Sequence, residues 1–378
     1  MKKIFILTAE PSGDKLAAKV ISKFKINNPD VNYLSLGGEN LKKIGIDSIL
    51  KIEDVTYLGF TKVILNIFKI KKNINYTAKR ILEFNPNILF SVDSPDFTLR
   101  VSEIIKKKNP KIKTVHFVAP QVWIWRQGRV KKMKKFIDHI LVLFKFEKKY
   151  FEKEGISCEF VGHPLLEKEQ KNRIDIHQLI EKNKAIISVF PGSRLSEVRT
   201  LMPILIDFIK LMNKKYNDFI YTFHTTVNQK DTVKKFLLDS GLSNFEIISD
   251  DKIKKFILKK SIFAVAKSGT ISLEICLEKI PSIIIYKINF INYLILKLLV
   301  KVKYANILNI ASNKMIIPEL LQSNCNAENI YKNVNFFIEN PNEIKKQLKN
   351  IELTLDTFMT KNLPSDEVSN YLKKLISF

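Results

Sequence analysis

Cysteine is scarce in this 378-residue chain. Cys158, Cys276 and Cys325 lie far apart with no histidine at metal-ligand intervals, which argues against a disulfide framework and against a zinc site. Long apolar runs are missing too. None approaches the roughly 18 residues of a membrane-spanning helix, and the longest candidate, Ile291 to Val302, is cut by Lys297 and Lys301. The apolar start, Ile4 to Leu7, breaks at Thr8-Ala9-Glu10-Pro11 before it can form the core of a signal peptide, and reads as the first strand of a cytoplasmic protein. No Walker A sequence and no complete G-x-G-x-x-G occurs, so ATP hydrolysis and NAD binding lack their fingerprint. Acidic residues are outnumbered, 38 against 63 Lys and Arg, for a formal charge of +25. Nucleic acid, an anionic membrane surface or anionic substrates would suit that charge, as would a bland bias towards Lys, Ile and Asn; location has to decide.

What is present is globular: 46% hydrophobic and 10% aromatic residues, in a chain long enough for two cores. Apolar runs at Ile4 to Ala9, Tyr33 to Leu36, Ile88 to Val92, Thr114 to Val118, Ile140 to Phe144 and Glu159 to Val161 alternate with helical patterns. After a polar stretch from Leu165 to Lys184 the alternation resumes at Ile186, Phe219 to Phe223, Phe245 to Ile248, Ile262 to Ala266 and Ser282 to Tyr286. This predicts an α/β protein of two Rossmann-like, doubly wound domains. The expected division is 1–164, 165–340, and a helical segment 341–378 that could pack back on the first domain.

In such sheets ligands sit beyond the carboxyl ends of the strands, which selects a few loops. Pro191-Gly192-Ser193-Arg194 joins a buried strand to a helix; Gly192 allows close approach, Ser193 is a natural N-cap, and Arg194 with the first-turn N–H groups suits a phosphate, although an ordinary strand-to-helix turn would look the same. Pro203 should kink or restart that helix. Ser268-Gly269-Thr270 repeats the strand, glycine loop and helix order, and Glu274, one turn on, could accept from ribose hydroxyls or simply face solvent. Asp93 ends an apolar strand and is a candidate general base, or merely a cap for the helix that Pro95 opens. Asp93 and Asp96 lack the further ligands that a metal pair needs. His116 reads as a packed core residue; His163, in Gly162-His163-Pro164, could be structural or functional. Trp123 and Trp125, beside Arg126, could form a sugar floor or anchor a core. Two stretches are unusually basic: Phe60 to Lys72, mixing Phe60, Ile64, Ile67 and Phe68 with Lys69, Lys71 and Lys72, and Arg126 to Lys135. Apolar wedges beside lysines fit an anionic bilayer better than a nucleic acid, whose readers carry polar base contacts, although a buried helix with solvated lysines is the plainer alternative.

Taken in order, Ala9-Glu10-Pro11-Ser12-Gly13-Asp14, Gly37-Gly38, Asp93-Ser94-Pro95-Asp96-Phe97, Pro120 to Gln127 with its W-x-W-R-Q string, Phe146-Glu147-Lys148, Phe160 to Pro164, Pro191 to Arg194, Ser268 to Thr270 and Pro318 to Gln322 resemble the lipid-A-disaccharide synthase family over nearly the whole chain. The resemblance implies a GT-B glycosyltransferase with its active site in the cleft between two domains, without metal or other cofactor. It implies an inverting transfer from UDP-2,3-diacylglucosamine to 2,3-diacylglucosamine 1-phosphate, at the surface of an anionic inner membrane, by a peripheral protein that could be a homodimer and has no nucleic-acid partner. Asp93 matches the family's base. Gly192, Ser193, Arg194, Ser268, Gly269, Thr270, Glu274 and Asn309 fall in the UDP-binding half; Glu10, Ser12, Gly13, Asp96, Trp125, Arg126, Gln127 and His163 fall in acceptor loops. Thr8 stands where the family has Gly, and Leu308 where it usually has Pro; both changes could alter loop shape. A UDP-N-acetylglucosamine 2-epimerase, with the same layout, and a basic RNA-binding protein are the competing readings.

Overall fold

The computed structural model describes residues 1–56, 66–167, 184–289, 293, 299, 300 and 302–377. These form two compact units, Met1–Glu167 with Phe358–Phe378, and Lys168–Thr357. The helix at 341–356 belongs to the second and the helix at 364–377 to the first.

The first unit follows the order β1 (Lys2–Leu7), α1 (Pro11–Asn27), β2 (Val31–Leu36), α2 (Glu39–Lys43), α3 (Ile67–Phe84), β3 (Ile88–Val92), α4 (Pro95–Lys108), β4 (Lys113–Phe117), α5 (Arg129–Met133), β5 (His139–Val142), α6 (Lys148–Glu152) and β6 (Ser157–Phe160). All neighbouring strands pair parallel in the order β2-β1-β3-β4-β5-β6, with Ile4 opposite Ile88 and Leu7 opposite Ser91. Both faces of β3 are buried, which is why it reads as an unbroken apolar run. Phe5, Leu7 and Leu89 pack with Ile74, Ala78 and Ile81 of α3 and Val101 and Ile105 of α4; Ile4, Ile6 and Phe90 pack with Ala17, Val20, Ile21 and Phe24 of α1. Each large side chain so buried contributes about 1.5–3 kcal/mol.

The second unit runs β7 (Ala185–Phe190), α7 (Leu195–Asn213), β8 (Phe219–His224), α8 (Lys230–Leu238), β9 (Phe245–Ile248), α9 (Asp251–Lys260), β10 (Ser261–Lys267), α10 (Thr270–Leu277), β11 (Ser282–Tyr286), α11 (Ile307–Ser312), β12 (Glu319–Leu321), α12 (Ala327–Glu339) and α13 (Pro341–Asp356). Its strands are parallel in the order β12-β11-β10-β7-β8-β9. Read from β9, this is the dinucleotide-fold order 3-2-1-4-5-6, and the first unit has the related 2-1-3-4-5 pattern. Helix α7 buries Val198, Leu201, Met202, Leu205, Phe208, Ile209 and Met212 and neither breaks nor restarts at Pro203. Pro203 and Arg199, the residue four before it, both face solvent, so water can serve the carbonyl that the missing N–H leaves free. Gln347 of α13 exchanges two 2.9 Å hydrogen bonds with the backbone of Ser282 at the start of β11.

Finally α14 (Pro364–Ser377) returns to the first unit and adds Val368, Leu372 and Ile376 to the core beneath α1. Glu167 fixes its start, accepting from the Ser365 N–H and pairing with Lys19 of α1. The order of each sheet reverses beside its first strand, between β1 and β3 and between β7 and β10, so the loops after those four strands flank two switch points.

Candidate functional site

At the first switch point the chain leaves β3 through two consecutive left-handed residues, Asp93 (φ 54°) and Ser94 (φ 46°). For non-glycine residues this costs on the order of 1–2 kcal/mol each. The turn is held by the Asp93 N–H donating to the Phe117 carbonyl at 2.9 Å, and by the Thr98 hydroxyl donating to the Asp93 carbonyl at 2.8 Å. Neither bond uses the carboxylate, so Asp93 is not a helix cap. Burial raises its pKa, against a partial pull from the Ser94 backbone. Glu10, half-buried before α1, is raised by burial first and then by the Asp93 charge. The Ser94 hydroxyl, buried without a hydrogen-bond partner of good geometry, sits near enough to Glu10 to offset part of that rise. Gly13 lets α1 approach: a Cβ there would lie 3.1 Å from the Val92 carbonyl oxygen and 3.8 Å from the Asp93 Cβ. Ser12 is exposed in the first turn of α1. Glu10, Gly13 and Asp93 therefore converge.

Asp96, exposed in the first turn of α4, pairs with the Arg129 guanidinium at 3.1 Å. The same guanidinium also donates to the Pro95 carbonyl. Asp14 is structural: buried in α1, it accepts from the N–H groups of Gly38 (2.7 Å), Asn40 (2.8 Å) and Leu41 (3.3 Å) and so starts α2. Thr8 fits its position because its backbone is not left-handed, and its N–H and hydroxyl both donate to the Leu36 carbonyl, at 2.9 and 3.1 Å.

The two tryptophans divide their roles. Trp123 is buried and donates from Nε1 to Glu147 at 2.9 Å, while the other Glu147 oxygen accepts from the Leu143 and Phe144 N–H groups at 3.1 and 3.0 Å. Burial pushes Glu147 up to about 7 despite these three donors. Trp125 is exposed, with the Arg126 guanidinium 4.0 Å above its ring and Arg126 itself at φ 56°. Gln127 closes the turn through its carbonyl to the Val130 N–H. His116 is fully buried, with Nδ1 2.8 Å from the Ser91 hydroxyl, and burial takes it down to about 3; it is a core residue. His163 packs against Phe144 with the rings tilted by 36°, accepts from the Leu165 N–H at 3.2 Å, and is lowered to about 4 by burial, which leaves it neutral.

At the second switch point the helix cap is Arg194, not Ser193, and the expected cradle is already filled. Glu197 reaches back so that its Oε2 accepts from the N–H groups of Ser193 (3.0 Å) and Arg194 (3.3 Å). Gly192, at φ 108°, is required here, since a Cβ would lie 2.5 Å from that oxygen. The Arg194 side chain is 82% exposed. Across the switch point Ser268 donates to the Ala305 carbonyl at 2.8 Å, Gly269 has open space around it, and Thr270 is exposed at the first turn of α10. Glu274 is not a solvent-facing carboxylate: it is partly buried, raised chiefly by that burial, and lies 3.7 Å from Lys254.

Asn309 is held within its own loop. It is fully buried, its Nδ2 donating to the Ile317 carbonyl (2.7 Å) and Glu319 (2.8 Å), its Oδ1 accepting from the N–H groups of Ile316 (2.9 Å) and Ile317 (3.0 Å). All four positions of the amide are used within the protein, so it shapes the loop. Glu319 also accepts from Ala305 and Asn306 N–H groups, both at 2.8 Å. Leu308 in place of Pro adds an N–H that Asn306 accepts at 2.8 Å, capping α11. A buried set that the sequence reading passed over joins Ser188, Thr222, His224 and Ser261, with His224 stacked on Phe190 at 4.4 Å.

Of the proposed membrane-facing residues, Phe60 and Ile64 lie outside the described residues. Ile67 and Phe68 are exposed at the start of α3, Phe68 by 86%, beside exposed Lys69, Lys71 and Lys72; Lys69 pairs with Asp54 at 3.3 Å. Among the described residues no helix is long and apolar enough to cross a membrane, and no three His, Cys, Asp or Glu converge as metal ligands would.

Among solved structures the fold is similar to a UDP-GlcNAc 2-epimerase from Neisseria meningitidis (TM-score 0.66, 15% identity, 99% of this chain and 100% of that one) and to a glycosyltransferase from Rickettsia africae (TM-score 0.59, 16% identity, 99% and 98%). At these identities the likeness establishes two Rossmann-like domains of GT-B type and nothing finer. Sequence relatives are more specific. Lipid-A-disaccharide synthases of Rickettsia bellii and Rhodospirillum centenum are 35% and 30% identical over 356 and 354 residues, each match covering 92% of this chain and 92% and 88% of the relative. The model of the family described as lipid-A-disaccharide synthetase matches residues 4–368. The chain belongs to the lipid-A-disaccharide synthase family, hexosyltransferases of lipid A biosynthesis.

Proposed function

We propose that this enzyme transfers 2,3-diacylglucosamine from UDP to the 6-hydroxyl of 2,3-diacylglucosamine 1-phosphate, with inversion, giving the β-1,6-linked disaccharide 1-phosphate and UDP. Asp93 carries the reading. It is a carboxylate at a switch point, held only by the backbone N–H of the next residue, Ser94, and made more basic by burial. In the reaction it takes the proton of the acceptor hydroxyl while that oxygen attacks the anomeric carbon. The bond from that carbon to the diphosphate breaks as the new one forms, and UDP leaves with the electron pair. One displacement inverts the centre.

The donor belongs to the loops after β7 and β10. The exposed guanidinium of Arg194 meets the diphosphate, the open backbone at Gly269 and Thr270 starts the helix beside it, and Glu274 accepts from the ribose hydroxyls. Two fold neighbours are described as bound to UDP-GlcNAc and as a UDP co-structure, which is in keeping with a uridine nucleotide as ligand. Glu10, Ser12, Gly13, Asp96, Trp125, Arg126, Gln127 and His163 belong to the acceptor half. The start of α3, with Phe68 and Ile67 among lysines, rests on an anionic membrane from the cytoplasmic side, each basic residue near the surface adding about 1 kcal/mol. A homodimer is compatible with this assignment.

Mass spectrometry of the products from a UDP-diacylglucosamine and a diacylglucosamine 1-phosphate tests the proposal. The disaccharide 1-phosphate and an equal amount of UDP are expected. Formation of an epimer from UDP-N-acetylglucosamine alone, without disaccharide from the lipid pair, would overturn it.

A further inference from the structure

The carboxylate that fills the loop after β7 is not an ordinary cap. Glu197 Oε2 takes the two N–H groups of Ser193 and Arg194, while Oε1 pairs with Lys267 Nζ at 2.9 Å, the two side chains being only 11% and 20% exposed. Lys267 is the last residue of β10 and immediately precedes Ser268-Gly269-Thr270. Its ammonium also lies 5.3 Å from the centre of the Tyr286 ring at the end of β11. Burial alone would raise Glu197, but the Lys267 hydrogen bond and charge, with the two backbone donors, hold it below the ordinary range. One side chain thus ties together the two loops that flank the switch point, and the glycine at 192 exists to let it do so.

We propose that Glu197 and Lys267 are positioning residues for donor binding. The pair locks the Gly192–Arg194 loop against the end of β10, occupies the N–H groups that a phosphate would otherwise use, and so leaves the Arg194 guanidinium to receive the diphosphate. Arg194 is only 4.0 Å from Glu197 Oε1 and points mostly into solvent, so its direction is set by the backbone that Glu197 holds. The inference rests on the UDP-binding reading above and adds two residues to it that make no contact with the donor.

The test is calorimetric titration of UDP into the full-length enzyme, with donor and acceptor KM measured alongside. Glu197→Gln and Lys267→Met remove the charge pair with little change of shape. Each is expected to weaken UDP binding and raise donor KM by about tenfold or more, with acceptor KM unchanged and thermal midpoints within a few degrees of the parent. The double variant should be no worse than either single one, since both break the same contact. Lys267→Arg should restore most of the affinity. In an Arg194→Ala background, Glu197→Gln should have little further effect, which an unrelated loss of packing would not reproduce. If the parent enzyme binds no UDP, the donor reading itself fails. If the parent binds UDP and the variants bind it equally well, or if Glu197→Gln is fully additive with Arg194→Ala, the positioning role fails and the donor reading stands.

Discussion

Replacing Asp93 by Asn isolates proton transfer from everything else that residue does. Asparagine is among the few side chains that tolerate the left-handed backbone found at φ 54°. The hydrogen bonds that hold the turn, to the Phe117 carbonyl and from the Thr98 hydroxyl, involve only the Asp93 main chain and persist in the variant. Stability should therefore change little, whereas Asp93→Ala should lose a further 1–2 kcal/mol or so from backbone strain alone. Removal of a positioned general base lowers turnover by about 10²–10⁴, equivalent to roughly 3–5 kcal/mol of transition-state stabilisation. UDP affinity should be unchanged, because the loops proposed to hold UDP belong to the second unit. The acid limb of the kcat/KM profile reports the same group: activity needs the ionised carboxylate, burial raises its pKa, so the limb lies above the ordinary aspartate range and vanishes in the variant. Steady-state UDP release across a pH series, with calorimetry for UDP binding, measures all three effects. An Asp93→Asn enzyme with turnover within a few-fold of the parent, or an unchanged acid limb, would refute the assignment.

Two further outcomes follow from neighbouring structure. Glu147, raised to about 7, binds a proton more readily in the folded than in the unfolded chain; its contribution to stability is therefore greatest in acid and is lost as pH rises from the unfolded carboxylate range to about 7, a total of roughly 3 kcal/mol. Urea unfolding followed by tryptophan fluorescence should show the difference between parent and Glu147→Gln shrinking by about that amount over this range, and a pH-independent difference would contradict it. Phe68→Ser should reduce retention on vesicles of mixed anionic phospholipid while leaving turnover of detergent-dispersed substrates intact; equal retention would remove α3 as the membrane contact.

The fold was legible because its signal is redundant. Parallel strands buried on both faces appear as short apolar runs, and helices such as α7 repeat their core residues at helical spacing. Three of the candidate residues converge for a reason visible in sequence, since Glu10, Gly13 and Asp93 all sit just beyond strands that flank a switch point. Carboxylates were the poorly read class. Asp14, Glu147, Glu197 and Glu319 all spend oxygens on backbone N–H groups, and two of them, Asp14 and Glu319, serve segments that only the tertiary fold brings near. Glu197 did leave a trace: it stands three residues after Arg194, the spacing of a back-bonding residue at the third helical position, which marks Arg194 rather than Ser193 as the cap. Asn309 left none, because a saturated amide and a ligand-binding amide look the same in sequence. The left-handed pair at Asp93 and Ser94 was equally silent, as nothing short of the turn itself requires it.

The helix that closes the first unit has a consequence for the order in which the protein is made. Val368, Leu372 and Ile376 cover the apolar face shared with α1, and Lys2 of β1 donates to the carbonyl of Ile376, 374 residues away in sequence. At about 5–20 residues per second, β1 waits on the order of 20 to 75 s for that partner to be synthesised. The second unit, contiguous from Lys168 to Thr357, is complete before α14 has been made. During translation the second-made half can reach its native core first, while Ala17, Val20 and Phe24 of the first-made half remain without their cover until α14 emerges from the ribosome.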